Sequence, residues 1–267
     1  IMHAGPLSQS LDQPRGPSRF QPLRRMLPAY SEKQGPFPET TPITDGERRR
    51  AIDGLADAAV RGLEAGFDGI EIHAGNGYLL DSFLTHYTNQ REDEYGGPTE
   101  NRVRLIADAI QTVRTVIGPD RLLGVRLSQG KVNDFENKWP GGSTDGAIIF
   151  PTVAKSGADY IHFASQSVPY SVGAHTSAGE SLTAQARRLT GLPVIANGQL
   201  DNAELAADVL ARGEGDFISI GLGALLNPDW PKRVRDGRAI LPFDPGVFSG
   251  GATVEAQFAW EAGRKAA

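Results

Sequence analysis

The sequence predicts an α/β fold of the (β/α)8 barrel class, and three observations carry that expectation. Helical stretches alternate with short apolar strands five times in succession. Such alternation means parallel pairing, because a parallel return needs a crossover. Polar residues stand at or just past the C-terminal ends of most strands: His73, Arg126, His162 and Asn197. Barrel enzymes draw their chemistry from that rim, one group per strand. Finally, no nucleotide fingerprint supports the open, doubly wound alternative. The segment starting at Gly221 lacks the third glycine of G-x-G-x-x-G and follows the last strand, where a dinucleotide motif would follow the first.

The elements follow in order. Thr44-Asp45-Gly46-Glu47 has the form of a capping box, and Ile52, Leu55, Ala59 and Leu63 recur behind it at helical spacing. Gly66 ends that helix, and 68–73 reads as a buried strand. A helix over 99–117, ending at Gly118, leads to a strand over 122–127. A helix over 145–155, ending at Gly157, leads to 159–163. Helices over 180–190 and 202–212 lead to strands over 193–196 and 216–220. Ile1-Met2-His3 reads as the stub of one more strand. Residues 7–44 are rich in proline, which removes amide donors and forbids a long helix, so they read as an extended surface loop. Five strands and a stub fall short of the eight that a closed barrel needs.

Composition narrows the function. The 267 residues carry a formal net charge of −5, with 39% hydrophobic and 22% charged residues. That balance predicts a folded chain and leaves no basic excess for nucleic acid. Cysteine is absent, which excludes thiolate metal sites, Cys-ligated clusters and thiol nucleophiles and suits a cytoplasmic location. No apolar run approaches the roughly 20 residues of a membrane span. His86, His162 and His175 show no ligand spacing, so no metal site is expected. Arg48, Arg49 and Arg50 at a helix start read as a solvated face. Phe135, Trp139 and the Pro140-Gly-Gly142 turn read as loop packing, or else as a substrate mouth. Lys131 and Lys155 read as loop and helix residues, which argues against a Schiff-base aldolase. Nothing sets an oligomeric state.

The densest chemistry runs from Gly66 to Arg102. His73 ends a strand, and Asn76 and Tyr78 follow on a Gly-rich turn that lets backbone approach a ligand. His and Asn can both donate to one oxyanion, and a nearby phenol can deliver a proton to carbon. The alternative is a structural histidine holding a loop.

This stretch resembles the old yellow enzyme family of FMN-dependent ene-reductases. The resemblance is carried by His73-x-x-Asn76-x-Tyr78, by Asn89-Gln-Arg-Glu-Asp-Glu-Tyr-Gly-Gly97 and by Glu100-Asn-Arg102. It extends to Gly124-Val-Arg-Leu-Ser128, Val194-Ile-Ala-Asn-Gly198, Ile218-Ser-Ile-Gly221 and Asn227-Pro-Asp-Trp-Pro231. It implies a single FMN-linked barrel domain over 1–267, FMN as cofactor, NADH or NADPH as reductant, and an α,β-unsaturated carbonyl compound (an enone or enal) as substrate. By resemblance, His73 and Asn76 hold the substrate carbonyl and Tyr78 protonates the α-carbon. Arg126 lies by the flavin N1/O2 edge. Gly198 and Gly221 offer amides to the FMN phosphate, with Asn197 and Leu222 beside them.

Three departures stand out. Leu222 occupies a position where the family has a cation, and Pro6 stands where many members have arginine. By the resemblance, Ile1-Met2-His3 matches the third barrel strand, so strands 3 to 8 are expected, with the first two, about 100 residues by family proportion, missing. Such a chain is expected to be unstable by itself unless something covers the gap. A degenerate barrel that does not retain FMN is the alternative reading.

Overall fold

Helix α1 (Asp45–Glu64) starts where its capping box predicts: the Glu47 amide donates to Thr44 Oγ1 at 3.3 Å and the Thr44 amide to Glu47 Oε2 at 2.9 Å. The computed structural model describes residues 1–8, 13–23, 25–26, 35–165, 168–251 and 253–266. Ala51, Ile52, Leu55 and Ala59 form the buried stripe of α1, at the spacing that puts side chains on one helix face. Arg48 corrects the expectation of a solvated arginine run. It is 8% exposed, lies 4.0 Å over the Tyr95 ring and donates to the Tyr95 hydroxyl at 2.8 Å. Only Arg49 and Arg50 face solvent. The three share a sequence context, but a helical turn sends them in different directions.

The strands β5 (Gly69–Asn76), β6 (Leu122–Lys131), β7 (Tyr160–Ala164), β8 (Val194–Asn197) and β9 (Phe217–Ser219) form one sheet, in chain order and all parallel. Sequential order without a reversal is the wall of a barrel; a doubly wound sheet reverses at its switch point. The expected stub extends this wall. The Ile1 ammonium donates to Glu71 O at 2.7 Å, and the His73 amide donates to Ile1 O at 2.9 Å, the alternating pattern of a parallel ladder.

Period-two alternation gives the wall two faces. Ile70, Ile72, Leu123, Val125, Leu127, Ile161, Phe163, Val194 and Ala196 pack into the apolar core with the helices. Fully burying each large aliphatic side chain contributes about 1.5–3 kcal/mol. The helices over this face are α1, α4 (Arg104–Ile117), α5 (Ser143–Lys155), α7 (Leu182–Thr190) and α8 (Ala203–Ala211). The helix expected over 99–117 is two pieces: α3 (Thr99–Arg102) precedes α4 and a break falls at Val103. Trp139 belongs to the core. Its ring lies 5.8 Å from Phe150 and 5.6 Å from Phe163, which decides for packing over a substrate mouth.

The Pro-rich stretch is less open than expected where it is described; 9–12, 24 and 27–34 lie outside the described residues. Strand β1 (Arg15–Gly16) pairs in parallel with β4 (Thr41–Pro42), and β2 (Arg25–Met26) antiparallel with β3 (Gly35–Pro36). Leu7 and Phe37 are buried in a small cluster that Tyr78 and Val132 join. Apolar side chains thus tie this loop to the turn that follows β5.

The chain divides into two compact units. One is Ile1–Leu200 with Glu204–Ser219, and the other is Asp201–Ala203 with Ile220–Ala267. The second holds α9 (Leu222–Leu226), α10 (Trp230–Arg235) and α11 (Val254–Ala266). Its anchor is Asn227, fully buried, whose amide donates to Gly223 O and Leu241 O and accepts from the Leu241 amide at 2.8–2.9 Å. No helix among the described residues is long and apolar enough to cross a membrane.

Candidate active site

The inner face of the sheet is polar. Glu71 and His73 of β5, Arg126 and Ser128 of β6, Tyr160 and His162 of β7, Asn197 of β8 and Ser219 of β9 share it by alternation. His73, Arg126 and His162 are successive register partners across three strands. One row of the wall therefore carries two imidazoles and a guanidinium.

A hydrogen-bonded line runs through His162 of that row, from Glu71 two residues before His73 to Ser219 near the end of β9. His162 Nδ1 lies 3.1 Å from Glu71 Oε2, and His162 Nε2 lies 2.8 Å from Ser219 Oγ. Burial opposes ionisation of Glu71, but His162 and then Arg126 outweigh it and hold the carboxyl below its usual range. Burial, with Glu71 alongside, pushes the Tyr160 phenol up. The Tyr160 ring lies over Gly124, where a Cβ would fall 2.0 Å from Cζ.

The upper rim carries His73, Asn76 and Tyr78. Burial, and next the Arg126 charge, push the His73 imidazole down to about 4, so it is neutral near pH 7. A neutral imidazole keeps one N–H to donate. The His73 ring packs against Tyr78 with centroids 5.4 Å apart and planes tilted by 58°. Asn76 has a φ of 61°, and Gln199, just past β8, has 54°. These two are the non-glycine residues with left-handed backbone among the described residues, and both lie just at or past strand ends. Strained backbone of this kind concentrates at functional sites. Sequence reasoning passed over Gln199.

Two nitrogens of this face have no protein partner: His73 Nδ1 and Arg126 Nε are buried without a hydrogen bond among the described residues. Ser165 Oγ, one residue past β7, is in the same state. Buried polar atoms are ordinarily satisfied, so the neighbouring His73 and Arg126 nitrogens point to a ligand with acceptors in reach. The donor set fits a flat, acceptor-rich ring such as a flavin.

The remaining expected residues divide. Asn197 gives its side chain to protein: Oδ1 accepts from the Ser165 amide at 3.2 Å, and Nδ2 donates to Ser219 Oγ at 3.0 Å. It braces the rim. Gly198 has a φ of 137°, and a Cβ there would meet Ser165 Cβ and the Tyr170 backbone nitrogen at 2.7 Å, so only glycine fits. Gly221 and Leu222 belong to the second unit. Gly221 precedes α9 and has open space where a Cβ would stand, and Leu222 is 55% exposed. Lys131 overturns its placement in a loop: it is the last residue of β6 and 1% exposed.

A model of the NADH:flavin oxidoreductase / NADH oxidase family matches residues 31–240. The chain belongs to this family. Its cofactors are FMN and a nicotinamide reductant, and the old yellow enzymes are within it, as the motifs lead one to expect. The chain is 33% identical over 237 residues to a putative 12-oxophytodienoate reductase-like protein 1 of Arabidopsis thaliana, covering 87% of this chain and 70% of that one. It superposes on the old yellow enzyme homologue of Zymomonas mobilis with a TM-score of 0.75 at 28% identity, covering 92% of this chain and 64% of that one. On morphinone reductase in complex with tetrahydroNAD, the TM-score is 0.79 at 27% identity, with 96% and 69% covered. These neighbours share the barrel that the sheet order indicates. The chain spans from 30% to 70% of the length of the first curated relatives that it matches.

Proposed function

We propose that this flavin oxidoreductase chain takes part in reducing the C=C bond of an α,β-unsaturated carbonyl compound, with NADH or NADPH as reductant. The observation that carries the reading is the rim of the inner face. A neutral His73, Asn76 and the Tyr78 phenol stand together there, above the unpartnered Arg126 Nε. When bound, FMN supplies the hydride. The residues supply the rest. His73 and Asn76 donate hydrogen bonds to the carbonyl oxygen, which strengthen as charge develops on it. Tyr78 holds the proton for the α-carbon. Arg126 sets a fixed cation against a ring that gains negative charge. Gly198 offers a backbone amide to phosphate. The reading takes the chain as one barrel domain and a cytoplasmic protein.

The test is the visible absorbance of the purified chain after FMN addition and desalting, followed by enone reduction. Tyr78→Phe is expected to slow substrate reduction about a hundredfold or more and to leave flavin binding unchanged. A chain that retains FMN and reduces no enone would point to another substrate for the same site. A second reading, a chain of this family that holds no FMN, is favoured by the exposed Leu222 and predicts no retained flavin band.

A further inference from the structure

Asp81 and Lys131 form the most deeply buried ion pair among the described residues. Asp81 is 0% exposed and Lys131 1%. Lys131 Nζ reaches both carboxylate oxygens, at 2.7 and 2.9 Å. A buried pair costs desolvation that apolar residues of similar size would avoid, so stability alone does not explain it.

Its position does. Asp81 sits in α2 (Leu79–Leu84), directly after the turn that carries Asn76 and Tyr78. Besides Lys131, Asp81 Oδ2 accepts the Gly77 amide at 2.6 Å. The other side of that same peptide is held as well: the Val132 amide donates to Asn76 O at 2.9 Å. The Asn76 amide in turn donates to Ser128 Oγ at 2.7 Å. Lys131 and Val132 are neighbours in the chain, and Lys131 is the register partner of Asn76. The Asn76–Gly77 peptide, with φ of 61° and 88° on its two residues, is therefore gripped on both edges. The end of β6 grips one edge directly and the other through the ion pair.

We infer that Asp81 and Lys131 are positioning residues, which lock the left-handed Asn76–Gly77 turn so that the Asn76 amide and the Tyr78 phenol act on one substrate. The inference rests on the roles of Asn76 and Tyr78 given above. The pair touches no substrate; it acts through the turn.

The experiment compares the 267-residue chain with Asp81→Asn and with the double variant Asp81→Leu/Lys131→Met. The double variant removes both charges at similar volume and is expected to melt close to the parent. Hydrogen exchange at the Gly77 and Tyr78 amides is read by mass spectrometry on peptides from that turn. Reduction of 2-methylcyclohex-2-enone is followed for kcat, KM and the enantiomeric excess of the product. In the double variant, Gly77 loses its protection, kcat falls about a hundredfold with KM little changed, and facial selectivity drops as water replaces Tyr78. Asp81→Asn leaves Lys131 buried without its counter-charge and is expected to melt lower than the parent, but it keeps an acceptor for the Gly77 amide and, while folded, retains protection and most of the rate. A double variant with parent-like exchange at Gly77, or with parent-like kcat and selectivity, overturns the inference. Should it fail to fold, Asp81→Ala/Lys131→Met, which also removes the acceptor of the Gly77 amide, is read by the same measures with the same expected losses. If the parent itself reduces no enone, the proposed function falls, and exchange decides this inference unaided: protection lost in the double variant and kept in Asp81→Asn upholds the lock, and protection unchanged refutes it.

Discussion

His73 and Arg126 are register partners on adjacent strands, and each presents a buried nitrogen, Nδ1 and Nε, without a hydrogen-bond partner among the described residues. Burial, and next the guanidinium beside it, lower the proton affinity of the imidazole. The pair therefore presents one permanent cation and one neutral donor, the combination suited to a ring that takes up charge and a carbonyl that must be polarised without being protonated.

Replacing Arg126 separates binding from folding. Arg126→Leu removes a buried cation that is only partly offset by Glu71, so stability is expected to hold or rise. FMN affinity is expected to fall at least about tenfold, the equivalent of one lost charge-assisted hydrogen bond. Flavin fluorescence titration beside thermal melting checks both.

Acid should destabilise the fold through His73. Its pKa is 6.5 by default and about 4 here, so the unfolded chain binds the proton first as pH falls. The contribution to stability is full above pH 6.5 and is lost progressively toward pH 4. It is of order 3 kcal/mol at most. Urea unfolding at a series of pH values should show this loss in the parent and a smaller one in His73→Gln.

The two glycines assigned to phosphate should behave differently when changed to alanine. At Gly198 the added Cβ would meet Ser165 and Tyr170 within 2.7–2.8 Å at a φ of 137°, so Gly198→Ala is expected to cost about 1–3 kcal/mol. At Gly221 the φ is −111° and no atom lies within 4 Å, so Gly221→Ala should stay within about 0.5 kcal/mol. Denaturant midpoints distinguish them.

Leu222→Arg restores the cation that the family resemblance places there. An apolar side chain 55% exposed has little packing to lose. The substitution is expected to raise FMN affinity about tenfold, with an effect that weakens in high salt, as fits a phosphate contact. An equilibrium titration at two ionic strengths checks it.

The sequence by itself determined the order of elements, the capping box at Thr44 and the triplet His73, Asn76 and Tyr78. These are local signals: helical and strand periodicities, caps and a turn read within a few residues. The apolar face of the wall was legible for the same reason, since alternation is a property of one strand. What lay beyond it was every pairing across strands. The Glu71–His162–Ser219 line joins residues 91 and 57 positions apart, and Asp81–Lys131 joins residues 50 apart. Arg48 looks like its neighbours in the chain and differs only because a helix turns it toward Tyr95. Lys131 looked like a loop lysine because β6 runs on past its apolar core, to Lys131. The hydrogen bonds of the Asn197 side chain to Ser165 and Ser219, 32 and 22 positions away, were likewise out of reach. Hydrogen bonds and ion pairs are decided by distances of a few ångströms, and only the closing of the wall brings those strand ends to such distances.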